Sequence, residues 1–431
     1  MSAVDQKINF SPGSKNWIAK FFELLEEGVF EIDADLIEQE ESNLTHFISH
    51  QTGLIYGTAK SFIFSNKFSK KHFNTDEQLQ LLLFETLLFT YFRKHSQTFS
   101  KIQFIEDALE FYKDYEGLSP RELIEMNFHK SPFGKLELIL KSRVGVKSSP
   151  LGSNFWLNHL SNAFIFIDII LFRSFLQNKV NTFSRCNMRY TASVFNGLIY
   201  TAFMDGVLED NEKKILQHFL ASATLNKSLK DIYKERISSG ISLQILKEEH
   251  VNDALLGQIT FEYAHFLLQS THLVSPIEKK KLKTLGAVLE LNEEQMLQSE
   301  EMCLAFISQN GPEEIEIYKQ SVATSFAFKE TSNRWLRIIG RNKERLILEI
   351  KESKELMELL QKSTKEELNK EEKDQVKLQF YDILKSMPSL ALFLLPGGTL
   401  LLPIVMKLVP ELVPSAFKTN ELEKTNQKDE L

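Results

Sequence analysis

The chain has 431 residues, 43 % of them apolar and 25 % charged, an ordinary globular composition with ample length for a core. A formal charge of −7 argues against direct nucleic-acid binding, which goes with a basic domain or stripe. Cys186 and Cys303 stand far apart without a C-x-x-C partner, so no disulfide framework is expected and a reducing compartment is the default.

The N-terminus shows no basic region followed by an apolar one, hence no secretory signal is read there. The last four residues, Lys428-Asp429-Glu430-Leu431, spell a retrieval address that acts only on proteins inside the endoplasmic-reticulum lumen. Without a signal that ending is read as coincidence, and the bulk of the chain is expected in the cytoplasm. Residues 1–150 read as a helical N-terminal domain. Ile18, Phe21, Phe22 and Leu25 recur at helical spacing, as do Leu81, Leu82, Phe84, Leu87, Leu88 and Tyr91. No sustained period-two alternation bounded by turn residues appears, so the fold class is all-α. His46 and His50 stand at i and i+4, a spacing that can hold zinc, but Phe47 occupies the place of the glutamate base in H-E-x-x-H. They are read as surface or half-buried histidines, with zinc the alternative. Gly, Ser and Pro cluster from Arg143 to Asn154, which predicts two helical domains joined near Pro150.

A second helical domain is read over 155–330. Its first stretch, Phe155 to Gln177, is heavily apolar yet carries Asp168 and Arg173. Either charge at mid-bilayer would cost about 2.5–3.5 kcal/mol, so this is a buried helix with its charges paired or at the rim. Residues 190–310 hold an internal repeat: EKKILQHFLASATLN (212–226) and EKKKLKTLGAVLELN (278–292) agree at seven of fifteen positions. An apolar helix precedes each, across an eight-residue corner. Asp205, Glu209, Asp210 and Glu212 crowd the first corner, where they can either hold a hard divalent cation or cap the following helix. The second corner, Thr271 to Glu278, keeps only Glu278. Gly206 follows the first Asp directly, so this is no EF-hand loop. Helix, corner, helix, twice over, resembles the tellurite-resistance TerB-like fold.

Residues 331–386 read as a long charged segment of one or two helices. Trp335, Leu336, Ile338, Ile339, Leu346, Ile350, Met357 and Leu360 form an apolar face, interrupted at Ser353. Seven lysines against eight acids from Lys351 to Lys377 mark a solvated helix laced with i,i+4 pairs, one that delivers the chain to its apolar end. From Met387 to Met406 there are twenty residues without a charge, which as a helix would span roughly 30 Å, the thickness of a bilayer's hydrocarbon core. Pro388, Pro396, Gly397, Gly398 and Pro403 interrupt it. Membrane segments tolerate prolines where neighbouring helices satisfy the freed carbonyls. A kinked hairpin buried in protein is the alternative.

The run from Asp382 to Phe417 resembles the membrane segment of the leucine-zipper–EF-hand transmembrane (LETM) family. There a charged helix, here Leu368 to Ser386, leads into a proline-punctuated span closed by P-x-L-L-P-S-x-F, here Pro410 to Phe417 with Pro414 inside it. The span is read as 387–417 and the charged tail as 418–431. The chain also resembles a bacterial subset of LETM-related, biofilm-associated proteins. The resemblance implies membrane lipid as a partner, with cation homeostasis or ribosome binding as the family's roles. The ribosome-binding-like domain that follows the span in that family is not expected here.

No P-loop, G-x-G-x-x-G, G-x-S-x-G or zinc-spaced Cys/His cluster occurs, so no enzyme is expected and no cofactor beyond the divalent cation of the acidic corner. Three readings follow: a membrane-associated scaffold that binds a protein or itself, a component of proton-coupled cation exchange or ribosome docking, and a TerB-like metal- or stress-sensing module without a membrane role.

Overall fold

Packing begins with aromatic side chains on one face of a short helix. Trp17, Ile18, Phe21, Phe22 and Leu24 all lie on the buried side of α1 (Trp17–Glu26), the stripe a helix lays against a core. The computed structural model describes residues 10–32, 47–65, 73–128, 131–145, 160, 162–178, 183–269, 276–309 and 343–362, with separate positions between 369 and 383. In it the α1 stripe meets α2 (Thr75–Lys94), with the Trp17 and Phe21 rings edge-on to Phe84 at 5.2 and 5.0 Å. A capping box starts α2: Asn74 and Glu77 each accept the other's backbone N–H at 2.9 Å. Leu81, Leu82, Phe84, Leu87, Leu88 and Tyr91 are all buried there, as the spacing predicts. Glu85 is buried among them and accepts hydrogen bonds from the backbone of Ile63, Phe64 and Ser65, which ties that loop to α2.

Three helices follow, α3 (Lys101–Phe111), α4 (Pro120–Phe128) and α5 (Pro132–Val144). Glu137 of α5 accepts the Asn16 and Ile18 N–H groups at 3.0 and 2.9 Å, so α1 is capped from across the fold. After a short 3-10 turn comes α6 (Phe166–Asn178). Its Asp168, with no exposed surface, accepts two hydrogen bonds from Arg143 at 2.6 and 2.8 Å, one from the Tyr112 hydroxyl at 2.8 Å and one from Asn187 at 3.3 Å. Arg173 is half-buried. Asp168 is thus paired inside the protein and Arg173 stays near its surface, as expected of a buried helix.

This network spans the stretch near Pro150 where a boundary is expected. Helices on both sides of that stretch share one buried ion pair, and the first compact unit runs to Glu300, with the second covering 301–431.

The repeat is present as geometry. Helices α7 (Phe183–Ala202), α8 (Asp210–Ser222) and α9 (Lys227–Ser239) recur, after the short α10 (Leu243–Glu249), as α11 (Ala254–Gln269), α12 (Pro276–Val288) and α13 (Glu293–Gln309). Buried positions recur with them: Glu212, Leu216, Phe219, Ala223 and Leu225 against Glu278, Leu282, Leu285, Leu289 and Leu291, apart from the exchange of Phe for Leu and Ala for Leu. Asn226 caps α9 and Asn292 caps α13, accepting backbone N–H groups at 2.9 and 2.8 Å. Tyr190 lies near Asp253, Gly197 lies against Thr260, and Met204 shares a core cluster with Leu268, so α7 and α11 run parallel. Both corners therefore leave from the same end of this pair. Residues 270–275, most of the second corner, lie outside the described residues.

In the second unit, α14 (Lys343–Glu352) and α15 (Lys354–Lys362) carry buried Leu346, Ile350 and Leu356. Within 331–386 the described residues do not form one continuous helix. The helix breaks at Ser353, and a new start follows where Asn369 and Glu372 form a reciprocal cap at 3.0 and 2.9 Å. Lys362 reaches Glu372 at 2.6 Å and Gln379 reaches Glu355 at 2.6 Å. In one straight helix residues ten apart would be about 15 Å distant, so the chain reverses into a hairpin that buries Leu356 and Val376. Among the described residues there is no strand, and no helix is long and apolar enough to cross a membrane.

Candidate functional site

The acidic corner is built as a helix start. Glu209 is the N-cap of α8, and its own N–H is accepted by the Glu212 carboxylate at 3.0 Å in a capping box. Asp210 adds a negative charge to the first turn, where it opposes the helix dipole. Asp205 Oδ1 accepts the Val207 N–H at 2.9 Å and closes the turn in which Gly206 takes φ 93°. Glu212 is buried at the third helical position, and Glu278 occupies the same position of α12, also buried. No group of three or more metal-ligating side chains that could hold an ion occurs among the described residues. The Asp205 and Glu212 carboxylates accept backbone amides of their own corner, which is the geometry of capping.

His50 is half-buried, in line with the first reading of its sequence. It sits in a π-helical turn, Phe47–Gln51, with Nε2 at 2.9 Å from the Glu262 carboxylate and Nδ1 at 2.6 Å from Ser49 Oγ. The Tyr56 hydroxyl donates to the other Glu262 oxygen at 2.8 Å. Glu262 is on α11, so this cluster joins the N-terminal turn to the repeat. His46 lies outside the described residues. A serine, a histidine and a glutamate in hydrogen-bonding sequence have the order of a nucleophile, base and orienting acid. Ser49 and Glu262 are each 2 % exposed, so the cluster lies inside the protein. The buried Glu262 carboxyl group has its hydrogen-bonding needs met there by an imidazole and a phenol. One turn further along α11, burial pushes the His265 pKa down, which keeps that ring neutral.

Arg143 and Asp168 form the second buried centre. Burial by itself would lower the Arg143 pKa, but Asp168 outweighs it and raises the value above the ordinary guanidinium range. Burial, reinforced by Asp168, holds the Tyr112 phenol well above its usual range. The third guanidinium nitrogen donates to Thr224 at 2.8 Å, and the group lies 5.4 Å from the Tyr115 and Phe183 ring centres. Neither centre is legible in the sequence, because the partners of His50, Asp168 and Arg143 lie far away along the chain. The one available signal is the presence of Asp168 in an apolar run.

Beside Ile48 of the π turn lies a cavity of about 380 Å³ between α2 and α6. Phe89, Phe166, Ile169, Leu176 and Leu255 wall it, with Arg93, Lys94 and Arg173 also lining it. Pro388, Pro396, Gly397, Gly398, Pro403, Pro410, Pro414 and Phe417 lie outside the described residues.

Residues 342–431 match a protein-family model described as "LETM1-like, RBD". The match takes in the charged hairpin, the charge-free run and the tail together. No curated protein and no solved structure matches the chain.

Proposed function

We propose, from the premise that residues 342–431 are LETM-like, that this chain is a non-enzymatic accessory protein. Its C-terminal run holds it at a membrane, and its helical repeat, TerB-like in pattern, binds a partner protein or a second copy. The observation carrying the reading is the coincidence of the family match with twenty charge-free residues, Met387 to Met406. Such a length as a helix is enough to reach across a hydrocarbon core. Ser389 and Thr399 are its only polar side chains, so one copy offers a hydrated cation no replacement ligands. Anchoring is therefore preferred to transport. The buried Ser49 and the capped acids of the first corner support a binding role over a catalytic one.

The test is fractionation of the intact chain beside a chain ending at Ser386. The intact chain should stay with membranes through high salt and alkaline carbonate, while the shortened one is released. An intact chain that remains in solution without detergent would overturn the membrane reading and favour the module without a membrane role. The description of the matched family favours a second reading, ribosome docking as the LETM resemblance implies. Co-sedimentation with ribosomes, lost when residues 342–386 are deleted, would promote it.

A further inference from the structure

We propose that the cavity between α2 and α6 binds the anionic head and single apolar chain of an amphiphile, a fatty carboxylate or a one-chain phospholipid. At about 380 Å³ the cavity lies within the ordinary range for small-molecule sites. Its inner wall is hydrocarbon: Phe89, Phe166, Ile169 and Leu176 are buried, and Ile48 and Leu255 complete it. Three cationic side chains line it together with Thr90 and Gln177, and no carboxylate is among the described residues of the lining. That combination selects a ligand with an apolar body and a negative end. A small inorganic anion would leave the hydrocarbon wall uncovered.

The cations divide the work. Lys94 donates its ammonium to the Leu176 carbonyl in the last turn of α6, so it neutralises the negative end of that helix beside the cavity. Arg93 and Arg173 are half-buried, on α2 and α6 respectively, and approach the lining from its two sides. Both make other contacts. A guanidinium has five donors and takes a carboxylate or phosphate in a fork, so an anionic head can be added to what each already holds. The site does not rest on membrane attachment by the C-terminal run, because its described lining residues all lie in the first compact unit.

Equilibrium dialysis of the full chain with labelled decanoate, below its micellar concentration, tests the assignment. Decanol, decyltrimethylammonium, inorganic phosphate and lysophosphatidylglycerol serve as competitors. Decanoate should bind at one site, with decanol at least tenfold weaker and the cationic amphiphile and phosphate without effect. Displacement by lysophosphatidylglycerol at lower concentration than by unlabelled decanoate would identify lipid as the source, and the reverse order the free acid. Arg93→Gln with Arg173→Gln should weaken decanoate at least tenfold and leave decanol unchanged, a pattern that unfolding cannot imitate. Leu255→Trp, at a half-buried position, should fill the cavity and abolish both. Absence of saturable decanoate binding, equal affinity for decanoate and decanol, or an undiminished signal in the double arginine variant would each overturn the proposal.

Discussion

Replacing Asp168 by Asn tests the reasoning about buried charge most directly. The substitution keeps the side chain's shape and its capacity to accept the Tyr112 hydroxyl, but removes the charge that Arg143 faces at 2.6 Å. Both side chains are almost fully enclosed, Arg143 at 3 % and Asp168 at 0 %, so solvent screens the lost interaction very little. Breaking a buried pair from one side leaves the other charge uncompensated and costs about 3–5 kcal/mol. That is a large fraction of the stability of an ordinary domain, about 5–15 kcal/mol. With a urea slope of about 3 kcal/mol/M, the unfolding midpoint should fall by roughly 1 to 1.7 M. Far-ultraviolet circular dichroism against urea reads it. Arg143→Met combined with Asp168→Leu should recover most of the loss, because a buried pair exchanged for apolar residues is close to neutral. A single-variant loss below about 1 kcal/mol, or a double variant that merely adds the two losses, would refute the claim that the pair is a desolvated unit.

Three further outcomes are expected. Asn226→Ala and Asn292→Ala each remove one helix cap of the repeat, and denaturation should show similar losses of about 1 kcal/mol for both. A methyl at Gly197 would lie 2.4 Å from Thr260 Cγ2, so Gly197→Ala should force α7 from α11 at a cost of about 1–3 kcal/mol, with Thr260→Ser restoring some of it. Burial raises the Glu85 pKa from 4.5 to about 7, outweighing the donors from residues 63–65. The folded state then holds a proton that the unfolded state releases, so the stability is present at low pH and is lost as pH rises through about 7. Urea midpoints should fall between about pH 5 and about pH 8.5, and Glu85→Gln should flatten that slope.

What the sequence reveals divides by distance along the chain. The core face of α2 and the repeat are visible because each depends on local periodicity or on two aligned segments. Residues 212–226 and 278–292 even carry matching caps and buried glutamates. The buried centres are not visible. Asp168 meets Arg143 across 25 residues and Tyr112 across 56, and Glu262 meets His50 across 212. No spacing rule encodes such pairs. The hairpin of the second unit is hidden for another reason. The start signal Asn369 to Glu372 stands plainly in the sequence, but the even mixture of lysine and acid around it reads as one solvated helix. Charge composition says that a face is wet; it does not say that a helix continues.

The charges inside the two apolar runs decide how those runs are read. Burying a carboxylate costs several kcal/mol unless a partner and further hydrogen bonds offset it. The helix around Asp168 meets that condition through Arg143, Tyr112 and Asn187, all supplied by the protein itself. A bilayer supplies none of these partners, so the presence of Asp168 in that run already favours a protein interior. The run from Met387 to Met406 makes no such demand: its side chains ask for no counter-charge, and only the carbonyls freed by its prolines need a donor. Placing one lysine near its middle, Leu394→Lys, should therefore discriminate the environments. In a membrane the change costs about 2.5–3.5 kcal/mol and should weaken retention in the membrane fraction. Retention that is unchanged, with the helical content of the chain intact, would mean that the run meets water or protein instead of lipid.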